Sequence, residues 1–240
     1  MKLNNNKILI TGGASGIGLG LTERFLKEGN IVIVCGRRQE VLQELKDKYP
    51  AVITYTCDLA VEAERTALYK WVEENHSDLN VLVNNAGIQN WMHFDNDNFY
   101  ERARLEIATN IEAPVHLTQL FSKLKSLTAI LNVTSGLAFV PFTKVPVYSA
   151  TKAFFRSFTL STRYLLKGKN IEVIEVIPPA LNTDLGGKGL HDAAPPVSEF
   201  IDAIFAQLKE GKTELTFAFS TAMAASSQDD VKAAFNRLNP

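Results

Sequence analysis

The chain of 240 residues has few of the features that mark secreted, membrane-spanning or nucleic-acid-binding proteins. Its only two cysteines, Cys35 and Cys57, fit no metal-ligand spacing and are interpreted as small buried hydrophobic residues of a reducing compartment. No apolar run approaches the roughly 20 residues that a membrane-spanning helix needs. The formal net charge is -1, so the sequence lacks a basic face that would attract nucleic acid or an acidic membrane surface.

The polar segment Met1–Lys7 leads straight into the first apolar segment and lacks the apolar stretch of a signal peptide. With the scarcity of cysteine, this predicts a cytoplasmic protein. Hydrophobic residues make up 46% of the chain, which is enough for a sizeable core. A single domain over residues 1–240 is therefore expected.

Short apolar, β-branched segments alternate with amphipathic ones. Strands are predicted at Lys7–Thr11, Ile31–Cys35, Val52–Thr56, Val81–Asn84, Ala129–Thr134, Glu172–Ile177 and Glu214–Phe219. Helices are predicted at Ile17–Lys27, Ala60–Asn75, Tyr100–Leu124, Tyr148–Leu166 and Ser227–Leu238. The alternation predicts an α/β fold with a parallel sheet of about seven strands and helices on both faces.

The segment 185–197 departs from this alternation, because it contains three glycines followed by two prolines. It predicts a flexible stretch with a stiffened exit, after which Ser198 caps a helix that continues to about Gln207. Late loops of α/β chains often carry function, so a substrate lid is expected here. A plain surface insertion is the alternative.

Tyr148 and Lys152 lie four residues apart, which places them one turn apart on a single helix face. An ammonium group beside a phenol favours the phenolate, which predicts that the pKa of Tyr148 falls from about 10 toward neutrality, as a general acid/base requires. The alternative is a half-buried tyrosine beside a lysine that reaches solvent. The rest of the chain must decide between the two.

A glycine-rich turn follows the first predicted strand and opens a helix. Gly12, Gly16 and Gly18 give the pattern Gly-x-x-x-Gly-x-Gly. Glycines allow the tight turn and let the backbone approach a pyrophosphate, while the helix N-terminus offers free N–H groups and a partial positive charge. The position predicts dinucleotide binding.

In this order the motifs resemble those of the short-chain dehydrogenase/reductase (SDR) family. They are the glycine turn, Asn84-Asn85-Ala86-Gly87, Asn110, Ser135, Tyr148 with Lys152, and Pro178 followed by Thr183. The resemblance covers roughly residues 7–183 and implies a Rossmann-like doubly wound sheet. Within the family, segments 135–141 and 177–180 are most similar to the DltE-like oxidoreductases.

The resemblance implies a role for each catalytic position. Tyr148 would give a proton to a carbonyl or take one from an alcohol, and Lys152 would lower its pKa and bind the nicotinamide ribose. Ser135 would hydrogen-bond the substrate oxygen as it gains charge. Asn110 would hold a water in a proton relay behind the lysine, or alternatively would only bend its helix.

The cofactor site implied by the resemblance spans the motifs: Gly12, Ser15, Gly16, Ile17, Gly18, Arg37, Arg38, Asp58, Leu59, Asn84, Ala86, Gly87, Tyr148, Lys152, Pro178 and Thr183. Asp58 would accept from the adenine amino group or else cap a helix, and Thr183 would hold the nicotinamide carboxamide.

Gly36 stands where Rossmann folds that bind NAD carry an acidic residue. Because Arg37 and Arg38 follow it and can pair with a 2′-phosphate, NADP(H) is favoured over NAD(H). Solvated arginines are the alternative, and Ser15, where some members carry a basic residue, argues mildly for NAD(H).

Two departures from the family pattern concern the cofactor pocket and the assembly. Pro179 replaces a family glycine, which stiffens the backbone and removes an N–H donor. The C-terminal part lacks the glycine-ending segment of many tetrameric members. A homodimer through the two long helices around Asn110 and Tyr148 is therefore expected, and the tetramer is left open.

The predicted substrate pocket consists of residues that follow the motifs, namely Gln89, Trp91, Leu137, Phe142 and Leu185. The set is mostly apolar and has no arginine for a carboxylate or phosphate, so a small hydrophobic carbonyl or alcohol is expected. The chain is thus predicted to be an NAD(P)(H)-dependent oxidoreductase without a metal. A non-catalytic dinucleotide-binding regulator is the alternative, although it would not need Ser135 with Tyr148.

Overall fold

The computed structural model describes residues 1–240. Seven parallel strands form one sheet in the order β3-β2-β1-β4-β5-β6-β7. They are Lys7–Thr11 (β1), Ile31–Gly36 (β2), Ile53–Thr56 (β3), Val81–Asn84 (β4), Ala129–Val133 (β5), Glu172–Ile177 (β6) and Glu214–Thr216 (β7). The predicted doubly wound α/β fold is confirmed. The strand order reverses between β1 and β4, which is where such sheets leave a crevice at their carboxyl ends.

Nine α-helices accompany the sheet. They are Gly16–Lys27 (α1), Gln39–Lys48 (α2), Glu62–Asn75 (α3), Phe99–Ile107 (α4), Ala113–Phe121 (α5), Pro146–Leu166 (α6), Val197–Lys209 (α7), Phe219–Ala224 (α8) and Gln228–Leu238 (α9). The core on one face of the sheet includes α1, α2 and α7, and the core on the other includes α3, α5 and the end of α6. Successive residues of β1 alternate between the two cores, with Ile8 in the first and Leu9 in the second.

Several predicted elements differ from the structure. The long helix predicted at Tyr100–Leu124 is interrupted by a π-helical turn at Ala108–Glu112, and the last strand stops at Thr216. The helix α2 was not predicted. The helix predicted from Ser198 begins one residue earlier, so Ser198 lies in its first turn and caps nothing. Ser227 does cap α9, through a reciprocal pair of hydrogen bonds with Asp230.

Residues 185–196 contain turns and bends but no helix or strand, and α7 begins at Val197. Gly186, Gly187 and Gly189 have φ angles of +82°, +151° and +83°. These conformations are ones that a residue with a side chain rarely adopts, which explains the run of glycines. No helix in the fold combines the length and the apolarity that crossing a membrane would require.

Candidate active site

A cleft of about 850 Å³ lies at the carboxyl ends of the strands. Fifteen of the sixteen predicted cofactor-binding residues line it: Gly12, Ser15, Gly16, Ile17, Gly18, Arg37, Arg38, Asp58, Leu59, Ala86, Gly87, Tyr148, Lys152, Pro178 and Thr183. Residues from the ends of most of the strands therefore meet in one concave surface. Its volume is in the range usual for small-molecule sites.

The glycine turn has the geometry that close approach to a phosphate needs. Gly12 and Gly16 have φ angles of +64° and +51°. A Cβ atom on Gly18 would lie only 2.1 Å from the carbonyl oxygen of Gly12, so α1 packs directly on the turn. The N-cap residue of α1, Ser15, makes no side-chain hydrogen bond to the first turn. Free N–H groups and the positive end of the helix dipole thus face the cleft, which suits a pyrophosphate.

The end of β2 presents two cations to the cleft. Arg37 and Arg38 are both exposed, line the cleft and form no ion pair with a carboxylate. Gly36 precedes them and carries no side chain that could repel a phosphate. This donor set suits an anionic group of a bound dinucleotide.

Asp58 lies in the cleft after β3, where its Oδ1 accepts a hydrogen bond from the backbone N–H of Ala60 at 3.0 Å. It is not the N-cap of α3, because Val61 holds that position. The thiols of Cys35 and Cys57 are buried beside this part of the cleft. Burial raises the pKa of Cys57 to about 12 and that of Cys35 well above its ordinary value, so both thiols stay protonated.

Asn84 does not line the cleft, although the sequence places it among the cofactor-binding residues. It is buried, and its Nδ2 donates to Asn132 Oδ1 at 2.9 Å and to Thr118 Oγ1 of α5 at 3.2 Å. The amide of Asn132 in turn donates to Thr159 Oγ1 of α6 at 3.0 Å. Asn84 is thus part of a buried polar row that ties two helices to the sheet.

Tyr148 and Lys152 lie one turn apart on α6, and both are buried at the base of the cleft. The Nζ atom of Lys152 lies 5.6 Å from the centre of the Tyr148 ring and donates to the carbonyl oxygen of Val133 at 2.8 Å. Ser135 follows β5 and its hydroxyl accepts from the backbone N–H of Leu137 at 3.1 Å. Ser135 does not itself line the cleft, but its hydroxyl is close enough to the Tyr148 side chain to lower the pKa of the phenol.

The expected fall in the pKa of Tyr148 is not found. Burial raises the pKa of Tyr148 above its ordinary value, while the interaction with Ser135 lowers it and the charge of Glu106 raises it further. Burial also lowers the pKa of Lys152 to about 8. The sequence interpretation considered the ammonium group alone and could not include the desolvation of the two buried groups.

Asn110 lies in the π-helical turn behind Lys152 and does not line the cleft. Its Oδ1 accepts from the backbone N–H of Ile88 at 2.9 Å, and its Nδ2 donates to the carbonyl oxygen of Ile88 at 2.8 Å and to Thr151 Oγ1 at 3.2 Å. The side chain therefore holds the loop after β4 against α6. The helix does depart from regular α geometry at Asn110, as the alternative interpretation expects, and the water relay stays a prediction.

The predicted substrate residues divide into two groups. Gln89 and Leu185 line the cleft, whereas Trp91, Leu137 and Phe142 do not. The rings of Trp91 and Phe142 instead pack edge to face with their centres 5.7 Å apart. Gln89 Oε1 and Trp91 Nε1 are buried without a hydrogen-bond partner, close to Gly186.

The cleft is also lined by residues that the sequence analysis did not predict, among them Ile88, Asn90, Leu105, Thr109, Asn182 and Asp184. Leu105 and Thr109 lie four residues apart and so share one helix face, but Asn110 does not line the cleft and its motif therefore gave no signal for them. The others are next to predicted cleft residues in the chain, Ile88 and Asn90 beside Gln89 and Asn182 and Asp184 beside Thr183.

A family model described as short chain dehydrogenase matches residues 6–193. The chain belongs to the short-chain dehydrogenase family. Like other members, it is an oxidoreductase that uses a nicotinamide cofactor. It is 41% identical to "Uncharacterized oxidoreductase DltE" of Bacillus subtilis, over all of this chain and 98% of the relative.

Two further relatives are informative. The "NADP-dependent 3-hydroxy acid dehydrogenase YdfG" of Escherichia coli is 34% identical over 71% of each chain. A short-chain dehydrogenase from Burkholderia cenocepacia, solved in complex with NADP, superposes with a TM-score of 0.85 at 28% identity, over 99% of each chain. The DltE-like resemblance inferred from the motifs is confirmed over the full length.

Proposed function

We propose that the protein is an NADP(H)-dependent oxidoreductase that interconverts a small carbonyl compound and its alcohol, with Tyr148 as general acid/base. The observation that carries the proposal is the presence of the unpaired Arg37 and Arg38 in the same cleft as Tyr148 and Lys152. The NADP-dependent relative and the NADP complex of the Burkholderia protein support the choice of cofactor.

In this proposal different residues bind different parts of the cofactor. The glycine turn and the N-terminus of α1 hold the pyrophosphate, Arg37 and Arg38 pair with the 2′-phosphate, and Asp58 faces the adenine. Lys152 and Thr183 hold the nicotinamide end. When bound, the cofactor supplies or takes up the hydride.

The remaining chemistry is a proton transfer at the substrate oxygen. Tyr148 donates its phenolic proton to that oxygen during reduction and accepts a proton during oxidation. Ser135 donates a hydrogen bond to the same oxygen as negative charge develops on it. Lys152 supports the phenolate form of Tyr148 with its positive charge at pH values below about 8.

The substrate is proposed to be small and largely hydrophobic, because Ile88, Leu105 and Leu185 line the cleft that also contains Tyr148. Turnover of a panel of ketones, aldehydes and alcohols, followed by reduced-nicotinamide absorbance with each cofactor, tests the proposal. Binding of NADPH without turnover of any compound would instead favour a non-catalytic regulator. Turnover confined to highly charged substrates would contradict the hydrophobic assignment.

The charge reversal Arg37→Glu is expected to weaken NADPH binding about 10- to 100-fold, because a charge-assisted hydrogen bond contributes roughly 1.5–3 kcal/mol. Affinity for NADH should change little or rise. Fluorescence titration with both cofactors measures this. The control is Lys46→Glu, which makes the same charge change at an exposed, unpaired position on α2. Equal losses for NADPH and NADH in Arg37→Glu would contradict a 2′-phosphate contact.

We also propose that segment 185–197 closes over the substrate as a lid. In the structure Gly186 lies against the substrate end of the cleft, where an added Cβ would be 2.7 Å from Gln89 Oε1 and 3.3 Å from Trp91 Nε1. The adjoining Leu185 lines the cleft itself. The lid would thus close on the loop after β4.

The substitution Gly186→Ala is expected to raise KM about fivefold or more, because the left-handed conformation costs a residue with a side chain roughly 1–2 kcal/mol and the methyl group also contacts Gln89. Steady-state kinetics measures this. The matched control Gly189→Ala has nearly the same φ angle, but its Cβ meets no atom within 3.7 Å. If both variants raise KM equally, the contact with Gln89 has no role in closure.

The proposed assembly is a homodimer through α4–α5 and α6. The exposed faces of these helices carry large apolar side chains, which are Ile107, Phe154, Leu160, Tyr164 and Leu165. Such a concentration is typical of a surface that is covered in the assembled protein. Sedimentation velocity at micromolar concentration should show a dimer, and a single monomeric species would contradict it.

A further inference from the structure

Glu106 is a fully buried carboxylate on α4 to which the family motifs assign no role. Its exposed fraction is 0%, and it lies one turn before Asn110 on the same helix face. Its Oε1 accepts a hydrogen bond from the backbone N–H of Asn90, and its Oε2 is buried with no partner. Asn110 and Glu106 therefore hold the loop after β4 at two successive points, Ile88 and Asn90.

The carboxylate has no ion-pair partner. Arg102, on the same helix, lowers the pKa of Glu106 through its positive charge, but its guanidinium donates to Asn90 Oδ1 at 3.1 Å and not to the carboxylate. The loop 88–91 contributes no titratable side chain. The helix α6 packs against α4. On α6, the negative charge of Glu106 raises the pKa of Tyr148. A buried carboxyl group without an ion-pair partner thus lies on α4, the helix that packs against the one carrying Tyr148.

Stability gives no reason for an anion at this position. Burial raises the pKa of Glu106 to about 7, which shows that the ionised form is disfavoured there. A neutral side chain that filled the same space would avoid the desolvation of a charge. The hydrogen bond to Asn90 alone could be made by an amide oxygen.

We propose that Glu106 is a positioning residue that sets the acidity of Tyr148 and fixes the loop 88–91 through Asn90. The inference rests on the proposed role of Tyr148 as general acid/base. During reduction the O–H bond of Tyr148 breaks, a new O–H bond forms on the substrate oxygen, and the substrate carbon receives a hydride from NADPH. The phenolate that remains is then repelled by the Glu106 carboxylate.

The two ionisation states of Glu106 therefore favour opposite directions of the reaction, oxidation of the alcohol and reduction of the carbonyl. The carboxylate makes the phenolate a stronger base and assists alcohol oxidation, whereas the neutral acid leaves Tyr148 a better proton donor for reduction. As pH rises through the pKa of Glu106, the reduction rate should fall relative to its value at lower pH. The site thus couples the preferred direction to pH.

The test compares pH profiles of kcat/KM for reduction in wild type, Glu106→Gln and Glu106→Leu. Glutamine keeps an oxygen that can accept from Asn90 but removes the charge, and leucine removes both. We expect an inflection near neutrality in the wild type that Glu106→Gln lacks. Loss of the Lys152 charge near pH 8 should appear in both proteins, whereas the alkaline limb set by Tyr148 should move about one pH unit lower in Glu106→Gln, the shift expected for loss of one nearby unit charge. Only Glu106→Leu should raise KM, through the loosened loop.

The control Glu101→Gln, at an exposed position on the same helix, should leave the profile unchanged. A Glu106→Gln profile identical to that of the wild type would overturn the inference. A wild-type profile without the inflection would also overturn it, and this second measurement does not depend on the folding of a variant. If Tyr148→Phe is inactive and the Glu106→Gln profile is unmoved, only this inference fails. If Tyr148→Phe keeps its activity, the proposed function fails as well.

Discussion

Replacing Tyr148 by phenylalanine is expected to lower kcat by about 10²–10⁴-fold, the usual contribution of a general acid/base. The substitution removes one oxygen and leaves the ring in place within a site where Tyr148 is only 6% exposed. Lys152 keeps its hydrogen bond to the carbonyl oxygen of Val133, so the cofactor end of the cleft stays formed. NADPH affinity should therefore change by less than about threefold, because the phenol contributes to proton transfer more than to binding.

Initial rates with NADPH and a substrate found in the carbonyl panel measure this loss, and fluorescence titration measures the retained cofactor binding. The control is Tyr164→Phe, which removes the same hydroxyl from the same helix at a position that is 81% exposed. Wild-type turnover by Tyr148→Phe would remove Tyr148 from the mechanism. A joint loss of turnover and NADPH binding would mean that the substitution disrupts the cleft.

Substituting Gly18 by alanine is expected to reduce NADPH affinity about 100-fold or more and to destabilise the fold by roughly 1–3 kcal/mol, the usual cost of overpacking. The new Cβ would lie 2.1 Å from the carbonyl oxygen of Gly12 and 2.5 Å from Asn85 Nδ2. The first of these atoms belongs to the backbone and cannot rotate away. Either α1 or the turn must move, and both form the predicted pyrophosphate site.

Thermal unfolding and NADPH titration together measure the two effects. Gly168→Ala is the matched control, because a Cβ there meets no atom within 4 Å and its φ is not positive. It should bind NADPH as the wild type does and unfold at the same temperature or slightly higher, as expected for a glycine replaced without strain. Normal NADPH affinity in Gly18→Ala would show that the close packing of α1 on the turn is not needed for binding.

The strands were predictable where an apolar, β-branched run is bounded by polar turns. The bounds of β1, β4 and β6 agree with those read from the sequence. The last strand was predicted too long because the apolar run continues to Phe219, but Ala218 adopts a φ of +48° and ends the extended conformation. The helix α2 escaped prediction because most of its residues are polar and only Leu42 and Leu45 are buried.

The site was predictable in its chain positions but not in the direction of each side chain. The motifs place residues at the ends of adjacent strands, and these ends meet in the cleft. Asn84 follows the alternation of β4, in which Leu82 faces the core of α3 and α5, so its amide points under α5 and not into the cleft. The pKa of Tyr148 depends on its burial in the folded protein, and the four-residue spacing from Lys152 does not predict that burial.

The row formed by Asn84 and Asn132 has a consequence for how the chain reaches this fold. The two residues are direct partners in the pairing of β4 with β5, and the strand positions before them are apolar and nearly interchangeable. A slip of one residue would still bury those apolar side chains, but it would separate the amides and turn one strand to its opposite face. Each amide left without a partner would cost about 1–3 kcal/mol. The asparagine pair thus favours the correct alignment of β4 with β5, in the middle of a sheet whose apolar side chains would tolerate a shift of one residue.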